Sequence, residues 1–142
     1  MRSKQPIAAA LALLLLPCLV ACRGRLDSTR ATAEETAAIA QLRTISRAQA
    51  TFSADHNHYA CTLPELGSQF GLIDRELSYG QKDGYYFNLQ CSSRGGVSAW
   101  DVWATPVGTS IAGSTVLCVD ESGAVRSASH RLDECRQATP IE

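Results

Sequence analysis

Apolar and polar positions along the chain spell out one long helical stripe followed by four alternating runs. From residue 38 onward, Ala38, Leu42, Ile45, Gln49 and Phe52 recur at spacings of three and four, with Ile39 beside them. That period is helical, and the largely apolar stripe predicts one helix face laid on a sheet. Thr32 with Glu35 three residues on forms a capping box, and Glu34 and Glu35 suit the positive end of a helix dipole, so the helix is predicted from Thr32 to about Ala54. Arg43 and Arg47, four apart on another face, are predicted to be solvated. A second capping box, Thr62 to Glu65, predicts one or two further turns, with Pro64 in the first turn and Gly67 stopping them.

After the polar Lys82-Asp83-Gly84 the period shortens to two. In "YYFNLQC" Tyr85, Phe87, Leu89 and Cys91 share one face, and Tyr86, Asn88 and Gln90 the other. In "SAWDVWATP" Trp100, Val102 and Ala104 lie on one side, Asp101 and Trp103 on the other, and Pro106 ends the run. Two more strands, Thr115 to Val119 and Ala124 to Ser127, flank a tight turn through Asp120-Glu121-Ser122-Gly123. Short connections favour antiparallel neighbours, so the expected fold is α+β: one long N-terminal helix packed on a four-stranded antiparallel meander, the tail from Leu132 held down by Cys135.

The first 21 residues read differently. Met1 to Lys4 is short and positive, and Pro6 to Val20 is an apolar run too short for the roughly 20 residues of a spanning helix. This is the pattern of an export signal. Leu19-Val20-Ala21-Cys22 resembles the lipobox of bacterial lipoproteins, which implies cleavage before Cys22 and acylation of its thiol. The expected organisation is therefore a signal peptide over 1–21, a lipidated cysteine and polar tether over 22–31, and one domain over 32–142. Removing 21 of the 142 residues leaves 121, ample for one small domain, and loss of Arg2 and Lys4 takes the formal charge from −1 to −3. Such a balance offers no basic surface for nucleic acid.

Six cysteines then sort themselves. Cys18 leaves with the signal, Cys22 takes lipid, and Cys61, Cys91, Cys118 and Cys135 remain for two disulfides in an oxidising compartment. Of three pairings, chain order favours Cys61 with Cys91 and Cys118 with Cys135. None of these spacings suits a zinc site.

The order of elements resembles the globular head of type IV pilins and of type II secretion pseudopilins. The resemblance covers about residues 37–127 and rests on "AIAQLRTISRAQATFSADHNHYACTLPELG", "DGYYFNL", "ATPVG" and "CVDESGAVR", in that order. It implies pilus or secretion-system partners. The chain departs from those families in lacking a retained apolar helix with a glutamate at its fifth position, so the assembly stem gives way to an acyl anchor. With Arg23 rather than Asp after Cys22, the lipoprotein resemblance implies the outer membrane over the inner, the head facing periplasm or medium.

Little points to catalysis. No G-x-S-x-G elbow is present and His130 stands alone in the tail, so no enzyme and no cofactor are expected. His56 and His58 beside Asp55 lack an obvious third metal ligand, and Asp120, Glu121 and Ser122 read as a hairpin turn before a calcium loop. A periplasmic ligand- or ion-binding lipoprotein using one of these two loops is the alternative function. Trp103 and Tyr86 are the candidate partner contacts, against the alternative that helix or tail covers both tryptophans. The expected function is a non-enzymatic envelope lipoprotein serving as a structural or interaction module.

Overall fold

Residues 8–108 and 115–141 are described in the structure, a computed structural model, the side chains of residues 8–31 and of Val97 excepted. Helix α1 runs Ala8–His56, the π-helical turn Glu65–Gln69 and short helix α2 Arg75–Ser78 follow, and six strands complete the chain. These are β1 Gln81–Lys82, β2 Tyr85–Arg94, β3 Val97–Pro106, β4 Val116–Asp120, β5 Arg126–Ala128 and β6 Thr139–Pro140, with a 3₁₀ turn at Cys135–Gln137.

Among the described residues the sheet has six strands, not four. All pair antiparallel in chain order, β1 to β6. The four runs seen in the sequence form β2 to β5. The two additional strands are two residues each, too short for any alternation to show. β1 is created by a two-residue turn at Asp83-Gly84, whose φ values of 51° and 80° are those of a type I′ hairpin. β6 contains Pro140, tolerated because the strand is at the sheet edge.

The expected start of the helix also shifts. Thr32 lies within α1, whose backbone is helical through residues 22–31, and the Thr36 hydroxyl donates back to Thr32 O at 2.9 Å, an interior-helix bond and not a cap. The other end stops two residues past Ala54, where Asn57 takes φ 58° and donates its N–H to Ser53 O at 2.9 Å.

Ala38, Leu42, Ile45, Ala48, Gln49 and Phe52 of α1 are buried, as the stripe requires, against Tyr85, Phe87, Leu89, Trp100, Val102, Ala104, Leu117 and Val119 of the sheet. Burying the Leu, Ile, Val and Phe side chains of this set stabilises by about 1.5–3 kcal/mol each before ordering entropy is subtracted. The opposite sheet face carries a second, smaller core of Trp103, Val116, Cys118, Cys135 and Ala138 under the C-terminal tail. Two disulfides staple these layers: Cys61–Cys91, Cα atoms 5.1 Å apart, ties the loop after α1 to β2, and Cys118–Cys135, at 5.7 Å, ties the tail to β4. They are the pairings that chain order favours.

Gly67 has another job than the one expected of it. A Cβ there would lie 2.3 Å from the Ser78 Cβ, so the absent side chain lets the π-helical turn press against α2. The turn ends instead at Gly71, with φ 67°, where Gly71 N–H donates to Gly67 O and Leu72 N–H to Leu66 O. Thr62 and Glu65 behave as a near-capping box: Thr62 Oγ1 accepts from Glu65 N–H at 3.4 Å, and the Glu65 carboxylate accepts from Cys61 N–H at 2.9 Å.

Candidate functional site

The histidine loop is closed by its own backbone. His56 Nδ1–H donates to Phe52 O and His58 Nδ1–H to His56 O, each at 2.9 Å, which fixes both tautomers. The His56 ring stacks on Phe52 with centroids 4.2 Å apart, and Phe70 abuts both rings edge-on at 4.7 and 5.1 Å. The two imidazoles stand nearly perpendicular at 6.1 Å, an aromatic arrangement that caps the end of α1. Asp55 is exposed beside them. Among the described residues, no three His, Cys, Asp or Glu side chains are grouped to hold a metal ion.

At the second loop, Asp120 Oδ1 accepts from both the backbone N–H and the hydroxyl of Ser122, while Gly123, at φ 74°, donates its N–H to Asp120 O. That is an Asx turn joining β4 to the segment before β5. Glu121 faces away from this turn and accepts from Arg94 at 2.9 and 3.0 Å and from Arg136 at 2.9 Å.

Arg94 and Asp101, which no motif singled out, belong to the densest charge cluster among the described residues. Asp101 sits directly opposite Asp120 in the β3–β4 register, and both are buried, at 5% and 2% exposure. Opposed like charges are costly in a sheet. Arg94, placed by the Gly95-Gly96 turn at the end of β2, answers with Nη2 3.2 Å from Asp101 Oδ2, and Glu134 and Arg136 of the tail close the network at 3.3–3.7 Å. Burial still pushes the Asp101 carboxyl above its ordinary range, with Asp120 and Glu121 adding to the shift and Arg94 and Arg131 opposing it. A carboxylate inside an otherwise apolar strand was the available sign, since burial demands a cation nearby. Its chemistry is seating: the cluster joins the hairpin, the β4 turn and the tail.

Both tryptophans are buried. Trp103 is 1% exposed beneath Leu132, Cys135 and Ala138, with the Arg131 guanidinium 5.9 Å over its ring, so it is withdrawn from the partner contact considered for it. Trp100 lies in the main core, 6.2 Å from Tyr59. Tyr86 remains half-exposed at 51%, and Tyr79, which sequence reasoning passed over, is 71% exposed. Near Tyr79 a cleft of about 320 Å³ opens between the Thr62–Pro64 segment and β2. Tyr85, by contrast, is interior, and burial pushes its phenol up to about 12.

No family model, curated protein or solved structure matches this chain.

Proposed function

We propose that the protein is a cell-envelope lipoprotein whose α+β head serves, without enzymatic activity, as a structural or interaction module linked to type IV pilus or type II secretion machinery. The observation that carries this reading is the cysteine accounting: the four cysteines after Cys22 pair with one another, which leaves Cys22 to the lipobox. Two disulfides suit an exported head. Among the described residues no helix is long and apolar enough to cross a membrane. Acyl chains contribute about 0.8 kcal/mol per buried CH₂, and two or more hold a head firmly to a membrane surface, here the outer membrane. The link to pilus or secretion components rests on the resemblance of residues 37–127 alone.

Replacing Cys22 by Ser in the full-length protein tests the anchor. The expected result is loss of lipid label and transfer from the membrane to the soluble fraction; continued membrane attachment would overturn it. A photo-crosslinking amino acid in place of Tyr86 tests the module, with capture of a pilus or secretion component expected and its absence counting against that link.

A further inference from the structure

β2 has an open edge. β3 pairs with it along its whole length, from Tyr85↔Pro106 to Arg94↔Val97, whereas β1 covers only Tyr85 and Tyr86. Phe87 extends that second side by donating its N–H to Gly80 O at 2.8 Å. Backbone groups alternate sides along an antiparallel strand, so Leu89, Cys91 and Ser93 aim theirs as Phe87 does, away from β3. The Gly95-Gly96 turn fixes the same phase independently, because the pair closing a two-residue hairpin, Arg94↔Val97, is a hydrogen-bonded one. Among the described residues, no backbone hydrogen bond takes up the outward groups of Leu89, Cys91 or Ser93.

The cleft beside Tyr79 adjoins this edge, with Leu63, Pro64, Gly80, Phe87 and Leu89 among its lining. The Arg75 guanidinium lies 5.7 Å over the exposed Tyr79 ring and has no ion-pair partner among the described residues. From Asn88 to Ser93 no side chain is charged, so β2 itself carries none of the lysines and prolines that usually guard an edge; the nearest carboxylate is that of Glu65, held by the Cys61 N–H beside the Cys61–Cys91 bridge.

The geometry points to strand addition: an extended segment of a partner protein pairs with β2 beside Leu89–Ser93, places an apolar side chain in the Leu63–Tyr79 cleft and sets a carboxylate against Arg75. Backbone bonds would supply affinity and the cleft specificity. This deepens the interaction-module reading, but it concerns the head and not the anchor, so continued membrane attachment of the Cys22→Ser protein would overturn the anchor without touching this inference.

The test is amide exchange on the ¹⁵N-labelled mature protein in micelles, with acetyl-Asp-Thr-Leu-Thr-Val-Thr-amide as the probe. Free protein should show Leu89, Cys91 and Ser93 exchanging about a hundredfold faster than Gln90 and Ser92. Millimolar peptide should slow those three about tenfold, and a peptide N-methylated at alternate residues should not. Ser93→Pro removes only an outward N–H, so it should weaken peptide binding about fivefold with Tm unchanged. Protection of the three amides without peptide, or no slowing at millimolar peptide, would overturn the proposal. So would a sedimenting dimer abolished by Ser93→Pro, since a second copy would then be the occupant.

Discussion

Gln49 and the backbone of Ala60 form a closed pair: Gln49 Oε1 accepts from Ala60 N–H at 3.0 Å while its Nε2 donates to Ala60 O at 2.8 Å. Gln49 is fully buried on the face of α1 that meets the sheet, and Ala60 lies just before the Cys61–Cys91 bridge. One side chain thus satisfies both polar groups of a buried loop residue, which otherwise would be orphaned away from water. Gln49→Leu fits the volume and removes both partners, so urea unfolding should show a loss of about 2–4 kcal/mol. A loss below about 0.5 kcal/mol would mean that water or a rearranged loop takes over both groups.

The two disulfides should separate by their optical signatures. Each closes a loop, of 30 and 17 residues' separation, so removing either should cost about 3–4 kcal/mol by the chain-entropy argument. Only the Cys118–Cys135 bridge lies beneath the tail that covers Trp103. In a Trp100→Phe background, which leaves Trp103 as the reporter, replacing both cysteines of this bridge by Ala should red-shift the emission of the folded protein, whereas the same change at Cys61 and Cys91, whose bridge lies beside Trp100, should leave the emission maximum in place.

These contrasts also mark where periodicity stops being informative. The buried stripe of α1 and the inward set of β2 follow from spacing, because one side of each element is dry and the other wet, whereas β3 is buried on both sides from Ala99 to Ala104. β1 and β6 do not, since two residues carry no period; Asp83-Gly84 was the local hairpin sign for β1. Thr32 and Glu35 match a capping box, but such a box permits a helix start without forcing one, and α1 continues through it. Of the site residues, Tyr86 was readable as outward-facing, while the burial of Trp103 depends on a tail brought back by Cys135, a contact 32 residues away in sequence. The open edge of β2 arises from what β1 fails to cover, which no side-chain pattern encodes.

Gly67→Ala should be disruptive and repairable. The new methyl would meet the Ser78 Cβ at 2.3 Å, too close for any rotamer to relieve, so a shift of α2 and a loss of about 1–3 kcal/mol are expected. Combining it with Ser78→Gly removes the opposing atom, and a double-mutant cycle should return a coupling energy of about 1 kcal/mol or more. Strict additivity would place the strain elsewhere.

Two aspartates should titrate on opposite sides of the ordinary carboxyl value. Asp74 caps α2 by accepting from Leu77 N–H at 3.0 Å and pairs with Lys82; the backbone bond first, then Lys82, holds its carboxyl below the usual range. Its folded pKa is lower than its unfolded one, so its contribution is fully present above the unfolded value and is lost as pH falls through the folded value. Asp101 has the reverse sign. Burial raises its folded pKa, so the ionised form costs stability at neutral pH, and that cost is relieved as pH falls through the raised value. Between pH 7 and 4 the two effects therefore separate: Asp101→Asn should hold or raise Tm at pH 7 and gain nothing at pH 4, whereas Asp74→Asn should lower Tm at pH 7 and converge on the parent protein only in stronger acid. Carboxyl chemical shifts followed by NMR, with thermal melts of both variants at each pH, check the assignment. If the Asp101 carboxyl titrates below the Asp74 carboxyl, Arg94 outweighs burial, and the cluster binding hairpin, β4 turn and tail is a stabilising ion pair rather than a tolerated one.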